Sequence, residues 1–125
     1  MFEVYVAAKF EAAHRLVGDF GPATRMHGHT YRMEVIVRGR HLGDDGTLYD
    51  IGDLGLAVND LAGSLDYRDL NEVSGLASVN TTAEAVADYC WERLAPSLRD
   101  RGLDSLVVRI WESRDAYAAR EDGLD

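Results

Sequence analysis

The sequence predicts an α+β fold, an antiparallel four-stranded sheet with two helices on one face. Three observations predict it. Apolar residues alternate at period two near both ends of the chain. They recur at helical spacing in the middle. The resulting order is strand, strand, helix, helix, strand, strand. The 125 residues suffice for one domain, residues 1–125, with one core.

Each element has a local signal. In residues 2–10, Phe2, Val4, Val6, Ala8 and Phe10 share one face, as in a strand. In residues 28–39, His29, Tyr31, Met33, Val35 and Val37 share a face, while Thr30, Arg32, Glu34 and Arg38 take the other. The glycine-rich stretch from Gly39 to Gly46 reads as a loop. Leu54, Val58, Leu61 and Leu65 then mark a first helix of roughly three turns, with Asp50 placed to cap its start. Residues 67–80 read as irregular. Thr81 with Glu84 three residues on fits a capping box for a second helix, whose apolar stripe is Val86, Cys90 and Leu94. Pro96 lies near its end, which the pattern allows to extend to about Arg101. Leu106, Val108 and Ile110 alternate through residues 104–112, a short strand follows near Tyr117, and 121–125 reads as a frayed tail. The uncovered face of so small a sheet needs protection. Closing several sheets into an oligomeric barrel would supply it, which points to a homo-oligomer.

Composition excludes several classes of function. The net charge of −9 argues against nucleic acid or an anionic membrane as the main partner. No apolar run spans a bilayer and no signal segment is evident, so the expected location is cytoplasmic. A single cysteine, Cys90, rules out an internal disulfide and a cysteine metal cluster. Its place on the apolar stripe reads as a buried, inert thiol. No phosphate loop, dinucleotide fingerprint or serine triad pattern is present.

The histidines carry the chemistry. His27 and His29 flank Gly28, so in an extended chain both imidazoles point the same way. If the first two strands form a hairpin, His14 comes to the same end of the sheet. Three imidazoles leave a fourth position open, the pattern of a catalytic zinc site. The spacing alone is equally compatible with hydrogen-bonded histidines that bind nothing. His41 in the loop reads as a solvated side chain.

Glu112 continues the period-two set of Leu106, Val108 and Ile110, so it faces a core or pocket. A buried carboxylate needs partners. A ring with adjacent N–H donors, such as a 2-amino-pyrimidinone, would supply a bidentate pair. A strand-end Glu turned to solvent or paired with Arg is the competing reading. Asp66 closes the first helix, where a loop-capping role competes with a place in a site.

Together these residues resemble the 6-pyruvoyl-tetrahydropterin synthase and 6-carboxy-tetrahydropterin synthase family. The resemblance runs through Phe10-Glu11-Ala12-Ala13-His14-Arg15-Leu16, His27-Gly28-His29-Thr30-Tyr31, Leu65-Asp66-Tyr67-Arg68-Asp69-Leu70-Asn71, Thr82-Ala83-Glu84 and Glu112. It implies the tunnelling fold, assembled as barrels into a hexamer built from two trimers. It also implies zinc on His14, His27 and His29, and a pterin ring anchored by Glu112 with help from Thr82. The family converts dihydroneopterin triphosphate into pyruvoyl or carboxy pterins, the latter feeding 7-deazaguanine and queuosine synthesis.

Two departures alter the expected chemistry. The family's catalytic cysteine position, four residues before His27, is Ala23. Of the Asp-His dyad, Asp66 is kept and the histidine is replaced by Tyr67. Nor does a glutamate lie between Phe20 and Met26 to replace the cysteine, as it does in some relatives. General acid–base groups each contribute typically about 10²–10⁴-fold in rate. The leading expectation is therefore a zinc-dependent lyase or cyclase with altered chemistry on a pterin-like or other small molecule, with Asp66 and Tyr67 as catalytic candidates. The alternatives are a conventional 6-carboxy-tetrahydropterin synthase with substitute residues, and a non-catalytic pterin- or purine-binding oligomer.

Overall fold

A computed structural model describes all 125 residues, Met1–Asp125. Strand β1 spans Phe2–His14 and β2 spans His27–Gly39. Helix α1 covers Ile51–Leu65, β3 is the two-residue Arg68–Asp69, and α2 covers Ala83–Leu98. Strands β4, Ser105–Ser113, and β5, Ala116–Gly123, complete the fold. Short 3-10 turns lie at Gly21–Thr24 and Leu70–Glu72.

The sheet order is β3-β1-β2-β4-β5. The expected four strands are present as an antiparallel array. The fifth, β3, pairs parallel to β1 through Ala12 and Ala13 and makes the sheet mixed. Two residues carry no periodicity, so nothing in the sequence announces this strand.

Alternation divides the sheet into two faces. Phe10, Ala12 and His14 of β1 join Tyr31, Met33, Val35 and Val37 of β2 and Leu106, Val108 and Ile110 of β4 on the buried face. Both helices cover it. Helix α1 contributes Leu54, Val58, Leu61, Ala62 and Leu65, and α2 contributes Val86, Ala87, Cys90, Trp91 and Leu94 to the same core. Helix α1 carries three glycines, Gly52, Gly55 and Gly63, each unfavourable in a helix interior. Burial of its apolar stripe, with the Asp50 carboxylate accepting from the N–H groups of Gly52 at 2.7 Å and Asp53 at 3.3 Å, holds it together.

Three boundary expectations need correction. Thr82, not Thr81, caps α2: its hydroxyl accepts from the N–H of Ala85 at 3.2 Å. Helix α2 ends at Leu98, short of Arg101, with Arg99 already extended. The tail is not frayed, because Glu121–Gly123 belongs to β5. Leu124 is buried in the core, and its N–H donates to the carbonyl of Asp104 at 3.1 Å.

Candidate metal centre and adjoining pocket

The β1–β2 hairpin pairs His14 with His27 and Ala12 with His29. All three imidazoles therefore meet at one end of the sheet, as the hairpin expectation required. Their ring centroids are 4.6 Å apart for His14 and His27, 5.1 Å for His14 and His29, and 4.8 Å for His27 and His29. One ligand atom from each lies within 4.8 Å of the others.

Two tautomers follow from the hydrogen bonds. Nδ1 of His14 faces the carbonyl of Thr81 at 2.7 Å, and Nδ1 of His27 faces the carbonyl of Arg25 at 2.7 Å. A carbonyl only accepts, so each Nδ1 carries the hydrogen, which in the neutral form of the ring leaves the lone pair on Nε2. Nε2 of His14 and of His29 are buried without a partner. Burial lowers the pKa of His14, and the charges of His27 and His29 add to that, against the Thr81 carbonyl and Glu112, which raise it. A neutral ring with a free, oriented lone pair is what a metal ligand requires. The donor set thus fits a borderline-soft cation such as zinc.

Thr81 is a contributor that the sequence reading assigned elsewhere. It is fully buried, and its carbonyl orients His14 across the sheet–helix interface. The cap assignment hid this role, since no spacing rule links residues 14 and 81. Gly28 is not sterically obligatory: a Cβ there would sit 3.6 Å from the Ala12 carbonyl, an ordinary contact.

Glu112 is half-buried at the end of β4. It forms none of the ion pairs, so the arginine-paired reading does not hold. Continuing the β2–β4 register from Arg32 opposite Trp111 places Tyr31 opposite Glu112. The carboxylate is close enough to act on His14 and Tyr31 electrostatically. It also borders an open depression of ≈ 520 Å³ with Lys9, Thr30, Arg32 and Arg114. Thr82 stands beside Thr81 at the start of α2, its hydroxyl oxygen engaged as the cap.

Asp66 and Tyr67 lie at the junction of α1 with β1. One carboxylate oxygen of Asp66 accepts from the Glu11 N–H at 2.8 Å, and the Tyr67 N–H donates to the Glu11 carbonyl at 2.6 Å. These two bonds dock the end of α1 onto β1. Tyr67 has φ +57°, a left-handed conformation costly for a bulky residue, and is 84% exposed. It lines a second depression, ≈ 500 Å³, with Glu11, Gly28, His29, Thr30 and Arg68. Ala23 sits in the 3-10 turn before His27, half-buried, with its carbonyl accepting from the Leu16 N–H at 2.9 Å. Cys90 is buried, and burial pushes its thiol up to about 12.

Comparison with known proteins identifies relatives along almost the whole chain. Residues 3–122 match the family described as 6-pyruvoyl tetrahydropterin synthase. A 6-pyruvoyl tetrahydrobiopterin synthase of Dictyostelium discoideum is 31% identical over 103 residues, covering 73% of this chain and 76% of that one. A 6-carboxy-5,6,7,8-tetrahydropterin synthase of Synechocystis is 33% identical over 99 residues, covering 75% of each. The solved structure of the Caenorhabditis elegans 6-pyruvoyl tetrahydropterin synthase superposes with a TM-score of 0.83 at 25% identity, covering 98% of this chain and 96% of that one.

Proposed function

The chain belongs to the 6-pyruvoyl tetrahydropterin synthase family, and from that premise we propose that it is a zinc-dependent lyase or cyclase acting on a pterin or pterin-like small molecule, with proton-transfer chemistry altered from that of its relatives. One observation carries the reading. Three imidazoles converge on the sheet end, two of them with Nε2 buried and unpartnered. Leaving such groups bare costs folding free energy, which a bound cation would recover.

His14, His27 and His29 would hold the zinc, which as a Lewis acid polarises a substrate oxygen. Glu112 would receive two ring N–H groups as a bidentate pair, and the Thr82 hydroxyl, whose oxygen already caps α2, would donate its hydrogen to the ring. Ala23 has no titratable group, so the family's thiol chemistry has no counterpart there. Tyr67 is the proposed proton donor, since a phenol gives up a hydrogen bond or proton more readily than it removes one at neutral pH. Asp66 positions it through Glu11. Because Tyr67 stands on an exposed rim, its action calls for a neighbouring copy, and a homohexamer of two trimers would provide one. The proposed setting is cytoplasmic; no helix is long and apolar enough to cross a membrane.

A second reading is favoured by the relatives named as 6-carboxy-5,6,7,8-tetrahydropterin synthases, one of which, in Synechocystis, is 33% identical. In it the chain performs that conventional reaction, towards 7-deazaguanines, with substitute residues. Incubation with dihydroneopterin triphosphate and mass spectrometry of the products separates the two. The altered-chemistry reading expects a pterin product other than the 6-carboxy compound, lost in His29→Ala together with bound zinc. Accumulation of 6-carboxy-tetrahydropterin at ordinary rates would establish the second reading. Unchanged zinc content in His29→Ala would sink the metal site in both.

A further inference from the structure

Two asparagine side chains grip the backbone just beyond the first histidine. Oδ1 of Asn71 accepts from the Arg15 N–H at 2.9 Å, and its Nδ2 donates to the Arg15 carbonyl at 3.1 Å. Asn80 repeats the pattern two residues on. Its Oδ1 accepts from the Val17 N–H and its Nδ2 donates to the Val17 carbonyl, both at 2.9 Å. A side-chain amide carries acceptor and donor in one plane, so it can bond both polar groups of one residue as a neighbouring strand would. The backbone ladder of β1 ends at His14, and the two side chains extend it. The bonds also alternate as on a strand: residues 15 and 17 meet the asparagines, while the Leu16 N–H between them donates to the Ala23 carbonyl at 2.9 Å.

Arg15 and Val17 are exposed, so water could satisfy their peptide groups. Water could not fix their position, and position matters here. Asn80 directly precedes Thr81, whose carbonyl lies 2.7 Å from Nδ1 of His14 and whose hydroxyl donates to the Arg15 carbonyl at 3.4 Å. Holding residue 80 to residue 17 therefore holds the Thr81 carbonyl against the ring. On the other arm of the loop, the Leu16 bond to Ala23 carries the constraint towards Arg25, whose carbonyl lies 2.7 Å from Nδ1 of His27. Both carbonyls that select the bare imidazole nitrogen are thus tied to residues 15–17.

We propose that Asn71 and Asn80 are positioning residues of the metal centre: by clamping residues 15 and 17 they hold the Thr81 and Arg25 carbonyls against His14 and His27, and so keep both Nε2 atoms bare and aimed at one cation. The inference rests on the metal-site reading above and extends it from the ligands to the groups that hold their hydrogen-bond partners. Groups behind a metal ligand fix its tautomer and ring orientation, and their loss weakens metal binding. Every bond of the clamp lies within the protein, so it sets the tautomers before a cation arrives.

Asn80→Ala removes both bonds to Val17. Long-range proton–nitrogen NMR of zinc-free protein, at a pH where the rings are neutral, should find the His14 hydrogen on Nδ1 in the parent and shared between the two nitrogens in the variant. Zinc affinity, read by competition with a chromophoric chelator, should fall about tenfold. Asn71→Ala should move both readouts in the same direction. Asp50→Ala is the control for stability alone. It removes the α1 cap, at the Phe2 end of β1, and should lower Tm with tautomer and zinc affinity at parent values. A parent value of either readout in Asn80→Ala overturns the proposal, and so does a matching change in Asp50→Ala. If Asn80→Ala does not fold, Asn80→Asp decides: it keeps the acceptor for the Val17 N–H and loses the donor, and parent values there overturn the proposal equally. If the parent binds no zinc, the metal-site reading falls and takes this role with it. A zinc-binding parent with Asn80→Ala unchanged removes the asparagines alone.

Discussion

Burial and hydrogen bonding act together on His14: desolvation disfavours the charged ring, and the Thr81 carbonyl selects which nitrogen is bare. The same two forces reach a different balance at Glu34 on the open face. Burial raises its pKa, but hydrogen bonds from Trp111 and Tyr5 and the charges of Arg32 and Arg109 outweigh it and hold the carboxyl below its ordinary value. The folded-state value is therefore below the unfolded one. Ionised Glu34 contributes stability that is present above the unfolded value of 4.5 and lost as pH falls through the folded one. An acid titration of tryptophan fluorescence should show a step below that value, because the Trp111 indole donates to Glu34. The step should vanish in Glu34→Gln, and its persistence would place the titrating group elsewhere. Tyr67 offers a second test at this scale. Tyr67→Phe keeps the backbone bond to Glu11 and removes only the hydroxyl, so turnover of the true substrate should fall about 10²-fold with folding unchanged. Unchanged turnover would dismiss Tyr67 as the proton donor.

The start of α2 shows how one element serves two ends. Thr82 satisfies an otherwise free helix N–H, while its neighbour Thr81 turns its carbonyl to His14. The cap and the residue that orients His14 are thus adjacent along the backbone. Thr82→Ala should cost about 1 kcal/mol in denaturant unfolding, with Thr82→Ser restoring most of it. Should Thr82→Ala match the parent in stability, the cap is not a net contributor. The junction of α1 with β1 is a comparable device. Asp66 and Tyr67 bond to both polar groups of the Glu11 peptide, and β3 follows at once. The left-handed Tyr67 is the corner that lets the chain turn from helix to strand.

For the molecule as a whole, the two helices leave one sheet face open. On that face the ion-paired Arg and Glu side chains surround a row across β1, β2 and β4 in which Ile36 and Val107 are already buried and Tyr5 is exposed. Strand β5 leaves an unpaired edge at one end of the sheet. An exposed strand edge beside the uncovered face favours closure against further copies. Native mass spectrometry is expected to find six copies, as trimers paired into a hexamer. A monomer at micromolar concentration would overturn the assembly and, with it, any role for Tyr67 in a neighbour's pocket.

The sequence by itself determined the sheet's two faces, both helices and the gathering of His14, His27 and His29. Each rests on a local period, and an alternating strand pair admits one register that buries its apolar set. It also singled out Glu112 as a site candidate from strand alternation, and Asp66 and Tyr67 from resemblance of short motifs. Only the tertiary structure decided that Thr81 orients His14, that Leu124 closes the core, that β3 exists, and that Asn71 and Asn80 grip the chain beyond His14. These depend on contacts between residues far apart in the chain, such as 14 with 81 and 104 with 124. No local periodicity encodes such contacts; they follow from how helices and sheet come together once each has formed.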